Sequence, residues 1–430
     1  MLRYCYILLS YLVQPFILLL ILKKSLKQPA YRQRLCERYG HYDNKLKPKA
    51  KGIIIHAASV GEVIAATPLI KQLQQTYPTL PITVTTVTPT GSDRVKAAFG
   101  ESVSHFYLPY DLPYAVKRFI DFIDPKLIVV IETELWPTLI HQFHQRRIPF
   151  VIANARLSPR STKRYTLIKQ SIKEMLSEVD MILAQDDVSA ERYLQLGYDP
   201  LKMDTTGNLK FDLNISSALR NKISNTLTQL AIQNRPIWIA GSTHEGEEKL
   251  ILEAHKKLLE KYPNLVLIIV PRHPERFLSV EELIKKSGLN YVKRSSNEPF
   301  LPSTQLLLGD SMGEMMILYG LSKIAFVGGS LVKHGGHNPL EPIAFELPVI
   351  SGVHTYNFPE IFSKLREVNG VIEIDSSVEA LVESVEFLLQ HEDEGKKIAQ
   401  FGFEVLKENQ GALKHHLALL APYLEKKYES

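Results

Sequence analysis

Several short segments of this chain carry residue types that could do chemistry. In "HAASVGEV", residues 56–63, a carboxylate, Glu62, opens a helix just after the β-branched run Ile53–Ile55. A strand, a small-residue turn and a helix make the opening of a nucleotide-binding unit, yet the glycine fingerprint for a pyrophosphate is missing. The residues alone leave two readings: an acid placed for a ligand, or a first-turn Glu completing a capping box with Ser59. "PRHPER", residues 271–276, gathers Arg272, His273 and Arg276 after an apolar strand. Such a cationic spot suits a phosphate, because a planar guanidinium gives paired, charge-assisted hydrogen bonds. The plain alternative is a solvated loop whose prolines stop the strand.

Two further segments have the same strand–turn–helix form. In "GDSMGEMMILY", residues 309–319, the amides around Met312 and Gly313 could cradle an anion at a helix start. Glu314 would repel a phosphate, but it could cap the helix or accept from a base or sugar. In "FVGGSLVKHGGHNPLEP", residues 326–342, two Gly-Gly pairs allow close backbone approach. Asn338 reads as an N-cap, with Pro339 at the first helical position and Leu340 and Glu341 behind it. Glu341 could accept both hydroxyls of a ribose; its other reading, dipole compensation, is worth only about 0.3–1 kcal/mol. Towards the N-terminus, "IETELWP" supplies Glu132 and Glu134, "NARLSPRS" supplies Arg156 and Arg160, and "GNLKFD" supplies Lys210. These acids and guanidiniums, at adjacent strand ends, could simply pair with one another. No D-x-D metal motif occurs, so charge on a leaving group would be met by Arg, Lys and helix ends.

The elements that must position these residues come in two sets. Strand-like runs at 53–56, 82–86, 127–131, 150–153 and 181–184 are followed by 237–240, 265–270, 305–308, 324–327 and 349–351. Amphipathic segments separate them, such as 248–262 with Leu250, Ile251, Ala254, Leu258 and Leu259 on one face. This alternation predicts parallel sheets covered by helices on both faces. The halves also echo each other, "IIIHAASVGEV" against "IWIAGSTHEGEE". A last helix is expected over 412–428, kinked or interrupted at Pro422.

Charge is unevenly placed. Residues 23–51 hold ten Lys or Arg against Glu37 and Asp43, a local +8; with Arg3 counted, this leaves residues 52–430 at −4 of the net +5. A mildly acidic body argues against a nucleic-acid partner. Just before the basic cluster, residues 4–22 carry no charge, enough for one membrane span. The cluster Lys23, Lys24, Lys27, Arg32, Arg34 and Arg38 would stay on the cytoplasmic side and favour anionic lipids. Gln14-Pro15 in mid-span keeps an in-plane helix or membrane hairpin open as an alternative. A cleaved signal peptide fits poorly, since no small-x-small site follows the apolar run. Cys5 and Cys36 exclude both a disulfide framework and a thiolate zinc site.

The ordered set "HAASVGE", "ETELWP", "NARLSPRS", "GNLKFD", "GSTHEGEE", "PRHPER", "GDSMGEM" and "FVGGSLVKHGGHNPLEP" resembles the 3-deoxy-D-manno-octulosonic acid (Kdo) transferases of lipid A. The likeness runs from about residue 30 to past residue 400. It implies an α/β GT-B enzyme, two Rossmann-like lobes facing across a cleft, behind an N-terminal membrane-anchor helix. The implied reaction is inverting and metal-independent, moving Kdo from CMP-Kdo to the 6′-hydroxyl of a lipid A precursor, with no cofactor. By the resemblance, Glu62 is the general base, and Glu132 and Lys210 support the transition state. The CMP site takes Pro271, Arg272, Met312, Gly313, Glu314, Asn338, Pro339, Leu340 and Glu341. The expected organisation is an anchor over 1–22, a basic juxtamembrane segment over 23–51 and an acceptor-binding domain over 52–212. A linker over 213–236, polar and suited to include an entry helix, a CMP-Kdo-binding domain over 237–411 and a helix over 412–430 that crosses back complete it. The expected partners are CMP-Kdo, the lipid A precursor and anionic lipids of the inner membrane, with the catalytic domains on the cytoplasmic side. The nearest rival is a GT-B enzyme or epimerase using a UDP-sugar, which would need a second anion site. A dinucleotide oxidoreductase is weakest, because neither half shows G-x-G-x-x-G followed by an acidic ribose ligand.

Overall fold

The structure, a computed structural model, describes residues 2–232 and 235–425. It divides into two units, residues 1–212 with 410–430, and residues 213–409. Each unit is built on a seven-stranded, all-parallel sheet.

The first sheet comprises β1 (Ile53–His56), β2 (Ile82–Thr86), β3 (Ser104–Tyr107), β4 (Leu127–Ile131), β5 (Phe150–Ala155), β6 (Met181–Ala184) and β7 (Met203–Thr205). Their spatial order is β3-β2-β1-β4-β5-β6-β7. The central strands are apolar on both sides because helices cover both faces. Ile54, Ile128, Val130 and Ile152 pack to one side, and Ile53, Ile55, Val129 and Val151 to the other. That second face is closed in part by Ala412, Leu420 and Leu424 of the C-terminal helix Ala412–Glu425. Of the two effects expected at Pro422, interruption does not occur: the residue lies within this helix, which continues past it. It sits in the last turns, flanked by the buried Leu420 and Leu424, so core packing holds both sides of the missing amide. Residues 426–428 of the expected helix lie outside the described residues.

The second sheet comprises β8 (Ile237–Thr243), β9 (Val266–Pro271), β10 (Tyr291–Lys293), β11 (Leu306–Leu308), β12 (Ile324–Val327), β13 (Val349–Gly352) and β14 (Ile372–Ile374). The order is β10-β11-β9-β8-β12-β13-β14. The stretch 213–236, expected as a linker with an entry helix, carries the helix Ser217–Leu230. Its Ile223 and Leu230 are buried with Ile239 and Ile268 in this unit's core.

The N-terminal helix runs over Leu2–Lys27, beyond the expected boundary at residue 22, because Lys23 and Lys24 are good helix formers and continue it. Among the described residues it is the one helix long and apolar enough to cross a membrane. The basic segment behind it is partly built into the first unit. Glu37 and Arg38 are buried, with the Arg38 guanidinium over the Tyr107 ring and bonded to the Val87 carbonyl.

Candidate active site

In the first unit the order of the strands reverses between β1 and β4, and ligands of such sheets bind beyond the carboxyl ends at that point. Glu62 follows β1 and Glu132 follows β4, so the two acids flank the switch point. Glu62 lies in the first turn of the helix Val60–Thr76 and makes a variant of the capping box, reaching the amide before the N-cap Ser59. It accepts from the Ala58 amide at 2.7 Å and the Ser59 hydroxyl at 2.8 Å, while Ser59 Oγ accepts from the Glu62 amide. The capping reading is thus observed. It leaves the carboxyl half-buried, with acceptor capacity on both oxygens. Burial first, and the Glu132 charge second, push the Glu62 carboxyl up to about 7.

Glu132 is held in the left-handed region, φ 65°, and its carboxylate pairs with Lys210 Nζ at 2.8 Å. Lys210 reaches it from a short turn, Leu209–Phe211, fixed by two asparagines. Asn208 Oδ1 accepts from the Lys210 amide, and Asn154 Oδ1, at the end of β5, accepts from the Leu209 amide. Asn154, itself at φ 53°, donates its own amide to His416 Nε2 at 3.0 Å. His416 donates Nδ1–H to the Ala412 carbonyl, and burial lowers its pKa to about 4, which keeps Nε2 an acceptor. A residue from the far end of the sequence therefore supports the Lys210 turn. Nothing in its local sequence signals this.

The pairing of Glu132 and Glu134 with Arg156 and Arg160 is not what forms. Glu132 takes Lys210, and Glu134 accepts from the Trp136 indole at 2.6 Å. Among the described residues neither guanidinium has an acidic partner.

In the second unit the strand order reverses between β8 and β12. The echo of Glu62 here is Glu247, at the start of the helix Glu247–Lys261. Glu247 is fully buried, 0% exposed. It accepts four amides: His244 at 2.8 Å, Gly329 at 2.7 Å, and Ser330 and Leu331 at 3.0 Å. A carboxylate of the chain itself thus fills the amide cradle behind β12. The neighbouring Glu248, equally buried, takes the Thr243 hydroxyl and the Arg276 guanidinium. Arg276, read above as part of a cationic spot, is therefore committed to this ion pair. The Gly-Gly pairs also serve the protein itself. A Cβ on Gly328 would strike the Ser242–Thr243 backbone, and one on Gly335 would strike Tyr356 and Asn357.

Arg272, by contrast, leaves the end of β9 half-buried with no side-chain partner among the described residues. Around it stand four imidazoles. His244 lies 2.8 Å from His337 between their Nε2 atoms and stacks on His334 with 4.2 Å between ring centres. Its ring also meets His273 edge-on. Burial lowers His244 to about 4 and His337 to about 3, and neighbouring positive charge adds to this. At neutral pH His244 and His337 are therefore uncharged, and of the two guanidiniums beside them Arg272 is the one not committed to an ion pair among the described residues. The buried Tyr319 hydroxyl has Glu341 and Arg272 as charged neighbours. His244, His337 and Tyr319 were not among the residues singled out from the sequence.

The remaining expected residues lie at the carboxyl edge of the same sheet. Met312 is exposed, Gly313 has φ 83° with open space around it, and the amides of both have no acceptor among the described residues. Glu314 is held by Arg294 at 2.8 Å and by the Ser311 hydroxyl. Asn338 Oδ1 accepts from the Leu340 amide at 3.1 Å, but the helix starts one residue later than expected, at Leu340, and has only four residues. Helix Met315–Gly320 has six. At both places individual amides, rather than a long helix dipole, are what could meet an anion. Pro271, Pro339 and Leu340 are buried, so they could offer a ligand only backbone.

Residues 33–213 match the family model described as 3-deoxy-D-manno-octulosonic-acid transferase (kdotransferase), and residues 242–405 that of glycosyl transferases group 1. The 3-deoxy-D-manno-octulosonic acid transferase of Haemophilus influenzae is 58% identical over 99% of this chain and 99% of its own. This chain belongs to the Kdo transferase family. It is a glycosyltransferase, as the ordered motifs implied. A probable mitochondrial Kdo transferase of Arabidopsis thaliana is 32% identical, over 91% of this chain and 90% of its own. A crystal structure of a UDP-GlcNAc 2-epimerase from Neisseria meningitidis matches with a TM-score of 0.59, over 86% of this chain and 100% of that one. At 15% identity that likeness shows only the fold, the two Rossmann-like units of the GT-B class.

Proposed function

We propose that this Kdo transferase takes its sugar from CMP-Kdo and places it on the 6′-hydroxyl of a lipid A precursor, lipid IVA, with inversion and without a metal ion. The observation that carries the proposal is Glu62: a half-buried carboxyl at a switch point, poised near neutrality. As general base it takes the hydroxyl proton of the acceptor sugar while the anomeric carbon is attacked. Glu132 and Lys210, locked together, support the transition state. In the second unit Arg272 receives the donor's phosphate, with the Met312 and Gly313 amides, Glu314 and the segment Asn338–Glu341 around the nucleotide. Arg156 and Arg160, which have no acidic partner among the described residues, suit the phosphates of the lipid. The enzyme works at the cytoplasmic face of the inner membrane, held by its N-terminal helix and the basic residues behind it.

The test is incubation with CMP-Kdo and tetra-acylated lipid IVA in detergent, with the lipid product weighed by mass spectrometry. CMP release coupled to a lipid heavier by Kdo is expected. CMP binding with an unchanged lipid would show the acceptor to be wrong.

Two further results are expected. kcat/KM should rise with pH through about 7 and then level, because the free base must be ionised. Glu132→Gln should move that limb to lower pH, since it removes a like charge beside Glu62 and frees Lys210. A limb that stays in place would dissociate the profile from Glu62. Arg272→Ala should raise the KM for CMP-Kdo about 10–100-fold, the worth of charge-assisted hydrogen bonds to a phosphate. Arg272→Lys should recover only part of this, because the ammonium lacks the planar fork.

A further inference from the structure

The N-terminal helix carries its polar residues on the inside. Tyr6, Ser10 and Gln14 recur every four residues on one stripe, and the stripe continues through Ile17, Ile21 and Ser25. Residues on this stripe are half-buried or buried, while Leu8, Leu12, Phe16, Leu19 and Leu20, on the rest of the helix, are exposed. The stripe meets the first unit near its N-terminal end, and at the other end the turn that follows the helix leads the chain into that same unit. Tyr6 donates its hydroxyl to Asp111 Oδ2 at 2.9 Å, and Asp111 is only 8% exposed. Near the other end Arg32 Nε donates to Ser25 Oγ at 2.6 Å. Midway, Gln14 Oε1 is shut off from solvent.

Ser25 lies nineteen helical steps beyond Tyr6, about 28 Å at about 1.5 Å each, close to the thickness of a bilayer's hydrocarbon core. A helix crossing the bilayer would carry these two contacts to opposite faces. One water-soluble unit cannot meet both without taking Asp111 and the amides it caps into hydrocarbon. We propose that the helix does not cross the membrane but lies in the plane of one leaflet along the first unit, with its exposed apolar face in the lipid. The occupant of that face is a leaflet with anionic headgroups. Arg3, Lys23 and Lys24 are exposed at the helix ends, and no acidic residue precedes Glu37.

This seat reaches the candidate site. The carboxylate that holds Tyr6 also accepts the Thr138 and Leu139 amides, at 2.9 and 2.8 Å. These begin the helix Pro137–Gln145, just behind Glu132 and Glu134. The leaflet plane and the carboxylates of the first unit are thereby held in one register. The inference rests on the membrane seat proposed above, not on the reaction.

The test uses the full chain with Cys5→Ser, so that Cys36 is the one thiol, and an epitope tag on a ten-residue Gly-Ser spacer before Met1. Sealed vesicles of both orientations receive an impermeant maleimide or a protease that removes the tag. Tag loss and Cys36 labelling in the same vesicle orientation are expected. Tag loss only in the orientation that protects Cys36 would overturn the in-plane seat and establish a span. Recovery of the protein in the soluble fraction would instead overturn the membrane reading itself.

Discussion

Glu62→Gln should lose Kdo transfer by about 10²–10⁴-fold while CMP-Kdo still binds, the loss expected when a general base is removed. The substitution separates the two roles of this residue. Gln can replace Glu in a capping box, so the start of the helix Val60–Thr76 should survive. The pH dependence of stability gives a second check. In the folded chain the carboxyl is raised from an ordinary 4.5 to about 7, so its contribution is fully present below about 4.5 and is lost as pH rises through about 7. Gln cannot ionise and keeps that contribution. The variant should therefore be at least as stable as the parent at pH 8, by thermal unfolding. A variant that turned over near the parental rate would leave Glu62 as a helix cap only. The base would then have to be sought at Glu132.

Glu247→Ala should destabilise the second unit by about 3–5 kcal/mol, because four buried amides lose their acceptor and each unsatisfied group costs about 1–3 kcal/mol before relaxation. Glu247→Gln should be nearly as damaging, since its NH₂ would face backbone N–H groups where the carboxylate accepts. Hydrogen exchange on the full chain reads this directly. The amides of Gly329, Ser330 and Leu331 should lose protection together, ahead of the first unit. Glu245→Ala, on the exposed residue two positions earlier, should leave them unchanged. Unaltered protection in Glu247→Ala would mean that the turn after β12 holds its shape without the carboxylate.

The contrast between Glu62 and Glu247 shows how far the sequence could be read. The Gly-Glu echo between the halves was legible, and both residues do open a helix beyond the first strand of their sheet. Their different duties were not. One faces a half-open edge, and the other faces a glycine turn some 80 residues ahead that its oxygens fill. Arg272 and Arg276 differ in the same way. Both follow one strand, but only Arg276 meets a buried acid, Glu248, contributed by another helix.

The sequence by itself determined the class of fold, the family and the order of the motifs. Interior strands buried on both faces are apolar or β-branched runs, threonine included in β2, and these are visible in any register. The four strands not among the runs read from the sequence are β3, β7, β10 and β14, and they are the four edges of the two sheets. An edge strand is paired on one side and half-covered, so its side chains are mixed and its place is set by the neighbour it pairs with. Tertiary structure alone decided which charges are spent within the protein and which stay open to a ligand. It also brought His416 under the Lys210 turn and laid the polar stripe of the N-terminal helix on Asp111. Each of these depends on groups distant in sequence meeting in low dielectric, where a partner decides whether a charge is a strut or a site.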